Sequence, residues 1–469
     1  MKKLVKILCI VLSFMLCIIQ APEIGATKTS ENTSVSWPKG PSDSSIAAES
    51  AILMDATSGL VLYEKNADKK QFPASITKIM TTLLAIENSS LDEVVTFSHE
   101  AVFGIETGSS HIGVEVDEKL TMEQCLYAMM LESANEVCLG VAEHIAGSVD
   151  EFVKMMNKRA KELGCKNTHF MNPNGLHNDK HYTTAADMAL IAQTAIQNET
   201  FRKVTGTKQY TIPKTNKKKE ERSWIKNHHQ MLYGYKYPKY QYEYCIGGKT
   251  GYTSKAQSTL VTYAQKDDVT LLTVVLKDFG PSYSENEYTD STRLLNYGFK
   301  NFTPYDVTSN TSDSIDSSLF TRYSALLNHD NPMLYVAPGT KILLPKGLSF
   351  QDIEQEFTYD GTTTFQQGEN KIGTVSYSYN GRHLGTGNII YNIEDITQLT
   401  TKSEINKSLA NKPIPKKSSS NTNKIAFVIA VSIVTIGCLY YGFVVRKRRR
   451  RRSYYERRRN QYYDNRNNY

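Results

Sequence analysis

Two apolar, β-prone runs surround an Asp/Ser/Gly turn within residues 51–63, the signature of a hairpin. Strand-like runs do not return until residues 258–263 and 270–276. Between them the apolar residues recur with helical period, at 74–87, 121–146, 149–163 and 184–195, and a last helical stretch follows near 290–297. Strands at both ends of a helical middle can share one sheet only if the first and last strands meet from distant parts of the chain. The expected class is α+β.

From about residue 302 the pattern turns to β. Residues 371–379 alternate, Asn380-Gly381 is a strong two-residue hairpin turn, and 387–391 continue the sheet. The chain therefore divides into a larger domain over 46–301 and a small all-β domain over 302–399, which suits a length of 469 residues.

The ends read differently. Lys2, Lys3 and Lys6 precede an apolar run over 7–19, with small residues at Gly25 and Ala26, so 1–26 is expected to be a cleaved export signal and 27–45 a polar linker. Residues 400–424 read as a stalk, and 425–445 form an uncharged run of about 31 Å as a helix, enough to cross a bilayer. Arg446 opens a basic run through Arg452, which keeps the tail 446–469 on the cytoplasmic side and the bulk of the chain outside. The formal charge of +7 does not indicate nucleic acid. Residues 424–469 hold 12 basic and 2 acidic groups, leaving 43 basic and 46 acidic in the rest, a net of −3. Of the cysteines beyond the leader and the span, Cys125, Cys138, Cys165 and Cys245 are expected to be small buried thiols, in a domain large enough to build its own core.

The chemistry begins with Ser-x-x-Lys, which occurs at Ser36, Ser75 and Ser223. A serine and a lysine three apart face the same side only on a helix. Ser75 alone follows a proline suited to a helix start and precedes an apolar-periodic run through Leu84, with Lys78 one turn on. A hydroxyl is a poor nucleophile until a base takes its proton, and a lysine whose charged form is disfavoured serves. The bland alternative is a helix cap beside a solvated lysine. Two further motifs decide between them: Ser133-Ala-Asn135 between helical segments, and Lys249-Thr-Gly251 just before the strand-like run from Ser258. In this order the three form the motif set of penicillin-binding proteins and class A β-lactamases.

The runs FPASITKIMTTLLAIE, LESANEVCLGVAEHIAG, NTHFMNPNGLHNDKHYTTAADMALIAQ and IGGKTGYTSKAQSTLV resemble low-molecular-mass penicillin-binding proteins, the serine D-alanyl-D-alanine carboxypeptidases, over about 45–301. The resemblance implies a β-lactamase/transpeptidase-like antiparallel sheet flanked by helices. It implies acylation of Ser75 by the penultimate D-Ala of a peptidoglycan stem peptide, release of the terminal D-Ala, and hydrolysis of the acyl-enzyme. Penicillins would acylate the same serine. By the same resemblance Lys78 is the general base, Ser133 and Asn135 move the leaving-group proton and orient the substrate amide, and Lys249 and Thr250 hold the terminal carboxylate. Gly251 lets substrate lie close, and the backbone N–H groups of Ser75 and Tyr252 form an oxyanion hole. The implied partners are peptidoglycan stem peptides, β-lactam antibiotics and the cytoplasmic membrane.

Some features depart from this pattern. Family members often carry Asn-x-Asn where this chain has Asn227-His228-His229, to which no role is assigned. The Tyr-rich segment 233–244 reads as an exposed insertion rather than a substrate-facing loop. A full span with a basic tail replaces the amphipathic helix that anchors many members. No cofactor is implied. His177, His181, His228 and His229 do not indicate a metal, since no His-Glu-x-x-His helix or paired Cys-x-x-Cys exists and His177 and His181 fall in a loop after Asn172-Pro-Asn-Gly175; no Gly-x-Ser-x-Gly elbow supports a Ser-His-Asp hydrolase. A β-lactamase would not need the β domain, stalk and span. A D,D-transpeptidase or endopeptidase, or a catalytically silent wall-binding protein, stands as the alternative.

Overall fold

The computed structural model describes residues 35–278, 286–308, 334–360 and 366–393. The expected leader, stalk, span and tail lie outside the described residues. Among the described residues no helix is long and apolar enough to cross a membrane.

β1 (Ala48–Asp55) and β2 (Val61–Lys65) make the hairpin read from the sequence. β3 (Val94–Thr96) pairs with β4 (Lys119–Thr121), and β5 (Gln209–Ile212) with β6 (Arg222–Lys226), as small satellite ladders. β7 (Cys245–Thr253), β8 (Gln257–Lys266) and β9 (Val269–Asp278) then run as a meander. The main sheet is antiparallel, in the order β2-β1-β9-β8-β7. β1 lies beside β9 in the register Leu53↔Thr273, so strands from distant parts of the chain do meet.

Helices behind the sheet supply the core. Ile79, Met80 and Leu83 of Lys78–Asn88, Met129 of Met122–Leu131, Val137 of Asn135–Ala146 and Ile191 of Ala185–Gln197 join Ile52, Val261, Tyr263 and Val274 of the sheet in one buried cluster. The helix Asn286–Asn301 packs on the sheet as well, with Leu294 and Leu295 buried. Strands covered on both faces read as continuous apolar runs, which explains why β8 and β9 stand out in the sequence. Side chains fix the helix starts: Ser148 accepts from Glu151 N, Thr184 from Asp187 N, and Thr121 with Gln124 forms a capping box. The stretch 121–146 is two helices, interrupted at Ser133, whose φ is 60°.

The C-terminal strands are β as expected. β10 (Phe302–Asp306) pairs with a later strand, β12 (Lys341–Pro345). β11 (Leu334–Val336), β13 (Glu354–Tyr359), β14 (Gly368–Tyr379) and β15 (Arg382–Ile393) form a second sheet in the order β11-β15-β14-β13. Asn380 and Gly381, at φ 50° and 73°, join β14 to β15 as a two-residue turn requires. Residues up to 308, 334–360 and 369–392 belong to one compact unit. Within it Tyr379 donates to the Val35 carbonyl at 2.6 Å and Lys341 pairs with Asp268 at 2.8 Å.

Candidate active site

Pro73 and Ala74 lead into a tight 3-10 turn, Ala74–Thr77, which passes directly into the helix Lys78–Asn88. Ala74 is held at φ 51°, in the left-handed region that a residue with a Cβ rarely adopts. The turn leaves Ser75 accessible while Lys78, one turn on, is wholly buried. The Lys78 Nζ lies 3.1 Å from Ser75 Oγ, 2.8 Å from Asn135 Oδ1 and 2.5 Å from the Asn174 carbonyl. None of these partners is a carboxylate. Burial therefore pulls the Lys78 pKa below its ordinary range, and the nearby Cys138 and Glu136 oppose that only in part. Glu136 is itself pushed up by burial.

The second wall comes from the break between the helices. Ser133 sits in the left-handed region, and Asn135 opens the helix Asn135–Ala146 with its backbone N–H bonded to the Ser110 carbonyl at 2.9 Å. The third wall is β7, the edge strand of the main sheet. A Cβ added to Gly251 would lie 2.5 Å from Thr259 Oγ1 and 2.8 Å from Ser75 N, so only glycine lets the strand approach the Ser75 turn this closely. Lys249 is buried beneath the strand, its Nζ 2.9 Å from the Thr250 carbonyl. Burial first, and the charge of Lys78 second, lower its pKa to about 7.

These walls enclose a cleft of about 560 Å³ lined by Ser75, Ser133, Asn135, Thr250, Gly251 and Tyr252 among others. Six of the eight predicted site residues thus face one space. Lys78 and Lys249 lie behind it, within reach of what it holds. The Lys-Thr-Gly motif lies inside a strand rather than before one; Gly247, Gly248 and Gly251 hide β7 from a periodicity reading. Tyr235, Lys236 and Tyr237 also line the cleft, so the Tyr-rich segment, although largely exposed, borders the space that Ser75 faces. Gln230 accepts from Lys236 N at 3.2 Å and Tyr237 N at 3.0 Å, and Tyr240 packs on Tyr288 at 5.2 Å, which holds the segment against the body. The density of its tyrosines was the available signal.

His228, in the segment left without a role, lines the cleft and contacts Glu132 at 3.0 Å. Asn174, whose carbonyl accepts from Lys78, was not legible as a site residue because it acts through its backbone. His181 and His229 serve packing and hydrogen bonding: His181 Nε2 meets Thr77 Oγ1 at 3.0 Å and burial lowers its pKa to about 3, while buried His229 contacts Thr262 Oγ1 at 3.1 Å. Among the described residues no group of three or more His, Cys, Asp or Glu side chains is placed to hold a metal ion. Cys125, Cys138, Cys165 and Cys245 are free thiols, and the last two are only partly buried.

A cleft with a serine, a buried lysine one turn on and a glycine-containing strand edge can run acyl transfer. Comparison with known proteins points the same way. The family model described as D-alanyl-D-alanine carboxypeptidase matches residues 36–280. DacF, a D-alanyl-D-alanine carboxypeptidase of Bacillus subtilis, is 37% identical over 262 residues, 54% of this chain and 63% of DacF, so the match spans less than two thirds of that relative. The D-alanyl-D-alanine carboxypeptidase of Streptomyces sp. K15 is 32% identical over 294 residues, 60% of this chain and 94% of that protein. In fold, the chain resembles penicillin binding protein 5 from Haemophilus influenzae, with a TM-score of 0.57 at 24% identity over 76% of this chain and 99% of that one.

Proposed function

This chain belongs to the D-alanyl-D-alanine carboxypeptidase family, and from that premise we propose that it is a serine hydrolase that removes the terminal D-Ala from peptidoglycan stem peptides and is acylated by β-lactams. The observation that carries this reading is the 3.1 Å contact between Ser75 Oγ and the buried Lys78 Nζ at the cleft. A neutral lysine has two N–H bonds and one lone pair. Asn135 Oδ1 and the Asn174 carbonyl accept the two N–H bonds, which leaves the lone pair facing the Ser75 hydroxyl. Burial of Lys78 without a carboxylate partner favours that neutral form.

In the reaction Ser75 Oγ attacks the carbonyl of the penultimate D-Ala while Lys78 takes its proton. The backbone N–H groups of Ser75 and Tyr252 bind the developing oxyanion, each donor lowering the barrier by about 3 to 4 kcal/mol. Lys78 and Ser133 return the proton to the departing amine of D-Ala, and Asn135 orients the substrate amide. Lys249, in its charged form, and Thr250 hold the terminal carboxylate. Water then hydrolyses the ester on Ser75.

The sequence of the segments outside the described residues supports a placement for the enzyme. Export through the 1–26 signal, a stalk over 400–424, a span at 425–445 and a basic tail would tether a catalytic domain (46–301) and a β domain (302–399) outside the cytoplasmic membrane, where stem peptides are.

The test is to incubate the purified full chain with a peptide ending in D-Ala-D-Ala and with a fluorescent penicillin. Release of D-Ala with labelling of Ser75 is expected. Labelling without release would turn the reading toward a transpeptidase or a wall-binding protein, and neither signal would remove the enzyme reading.

A further inference from the structure

Beyond the Ser75 cleft, a second opening of about 380 Å³ lies at the end of the main sheet toward which β7 runs after Gly251. Four lysines line it: Lys69, Lys70, Lys255 and Lys277. Only two acids oppose them. Glu49 takes both Lys69 and Lys277, the latter at 2.7 Å, and is held at about pKa 2 by those two partners. Asp179 pairs with His177 at 3.1 Å. Lys70 lies over the Tyr182 ring at 4.2 Å, and Lys255 makes no ion pair among the described residues. The opening therefore presents two uncompensated ammonium groups above an aromatic floor of Phe72 and Tyr182.

Its position relative to the reaction is set by the chain. Phe72 is three residues before Ser75, and Lys255 is in the turn that ends β7. If the terminal carboxylate sits at Lys249 and Thr250 and the scissile carbonyl faces Ser75 beside Gly251, the peptide residues upstream of that bond run past Tyr252 and Thr253. The strand covers about 7 Å from Gly251 to Thr253, the length of two extended residues. A lysine side chain then reaches the next. An edge strand with a free side is suited to pairing with an extended peptide in this way.

We infer that this second opening is a subsite for a carboxylate carried by the acyl-donor peptide two to four residues upstream of the scissile bond, held by Lys70 and Lys255. The inference rests on the assignment of Ser75 and Lys249 under Proposed function. It assigns the opening a role in selecting the peptide rather than in the chemistry.

The test uses two peptides ending in D-Ala-D-Ala, identical except that one upstream glutamate carries a free carboxylate in the first and an amide in the second. The full-length protein should favour the free carboxylate in kcat/KM by about five-fold at low salt, the scale of a solvent-exposed ion pair. The ratio should fall to about one in the K70Q/K255Q double variant and in high salt. K255E should reverse it in favour of the amide. Both lysines are exposed, so these variants are expected to fold. Equal rates for the two peptides in the unmodified protein, or a preference that survives the double substitution, would overturn the subsite. An equal slowing of both peptides in the variants would overturn it too, since that is a general charge effect. If neither peptide loses D-Ala and penicillin does not label Ser75, the catalytic reading fails instead.

Discussion

The β14–β15 hairpin and the Ser75 cleft both depend on left-handed backbone, but the two regions obtain it by different means. At the hairpin the residues are Asn380 and Gly381, the types that adopt this conformation at least cost. At the cleft they are Ala74 and Ser133, whose own preferences oppose it. In the first region local sequence and local conformation agree. In the second the surrounding packing overrides the local preference, and the two forced residues bracket the reacting group. Such mismatches concentrate where a site must be held in one geometry.

The comparison can be broken most severely at the lysine the cleft encloses. Lys78→Ala should lower the rate of penicillin acylation by about 10²- to 10⁴-fold, the usual contribution of a general base, with the circular dichroism spectrum unchanged. Normal acylation would remove Lys78 from that role. Next in size is Gly251→Ala. The added methyl forces β7 away from Ser75 N, and a displacement of that kind should lower kcat/KM for D-Ala release by about 10²-fold.

The pH profile gives a smaller, graded effect. An ordinary lysine keeps its proton to about 10.5, whereas Lys249 loses it as pH rises through about 7. Since the charged form is the one that binds carboxylate, kcat/KM should fall as pH rises through the lowered Lys249 pKa, and Lys249→Arg should abolish that limb because a guanidinium stays charged. A flat profile between pH 7 and 9 would sever Lys249 from substrate binding. Smaller still are the two turns themselves. Gly381→Ala should destabilise the protein by about 1 to 2 kcal/mol in urea unfolding while leaving kcat unchanged. Ser133→Gly should do the reverse to stability, raising it by roughly 0.5 to 1 kcal/mol as the strained φ is relieved against the added chain entropy.

The same contrast explains what was legible. Hairpins, buried strands and amphipathic helices announce themselves by period, and β1, β2, β8, β9 and the Asn380-Gly381 turn were readable for that reason. β7 was not, because its glycines suit close approach to Ser75 and His229 rather than strand propensity. The break at 132–134 is not periodic, and only the Ser-x-Asn motif marked it. His228 and Tyr235–Tyr237 reach the cleft by folding back across the body, a placement that no local pattern encodes. Asn174 contributes a carbonyl, which every residue has.

By itself the sequence determined the order of the periodic strands and helices, the reacting residue types and their motif order, because period and side-chain chemistry are local properties. Only the tertiary structure decided that the Lys78 and Lys249 amines would both be buried near one another, that Ser133 and Ala74 would be held left-handed, and that a tyrosine-rich segment would wall the cleft. Burial, and the proton affinity that follows from it, depends on which distant segments exclude water from a group, and those segments are fixed only when the sheet closes β1 against β9.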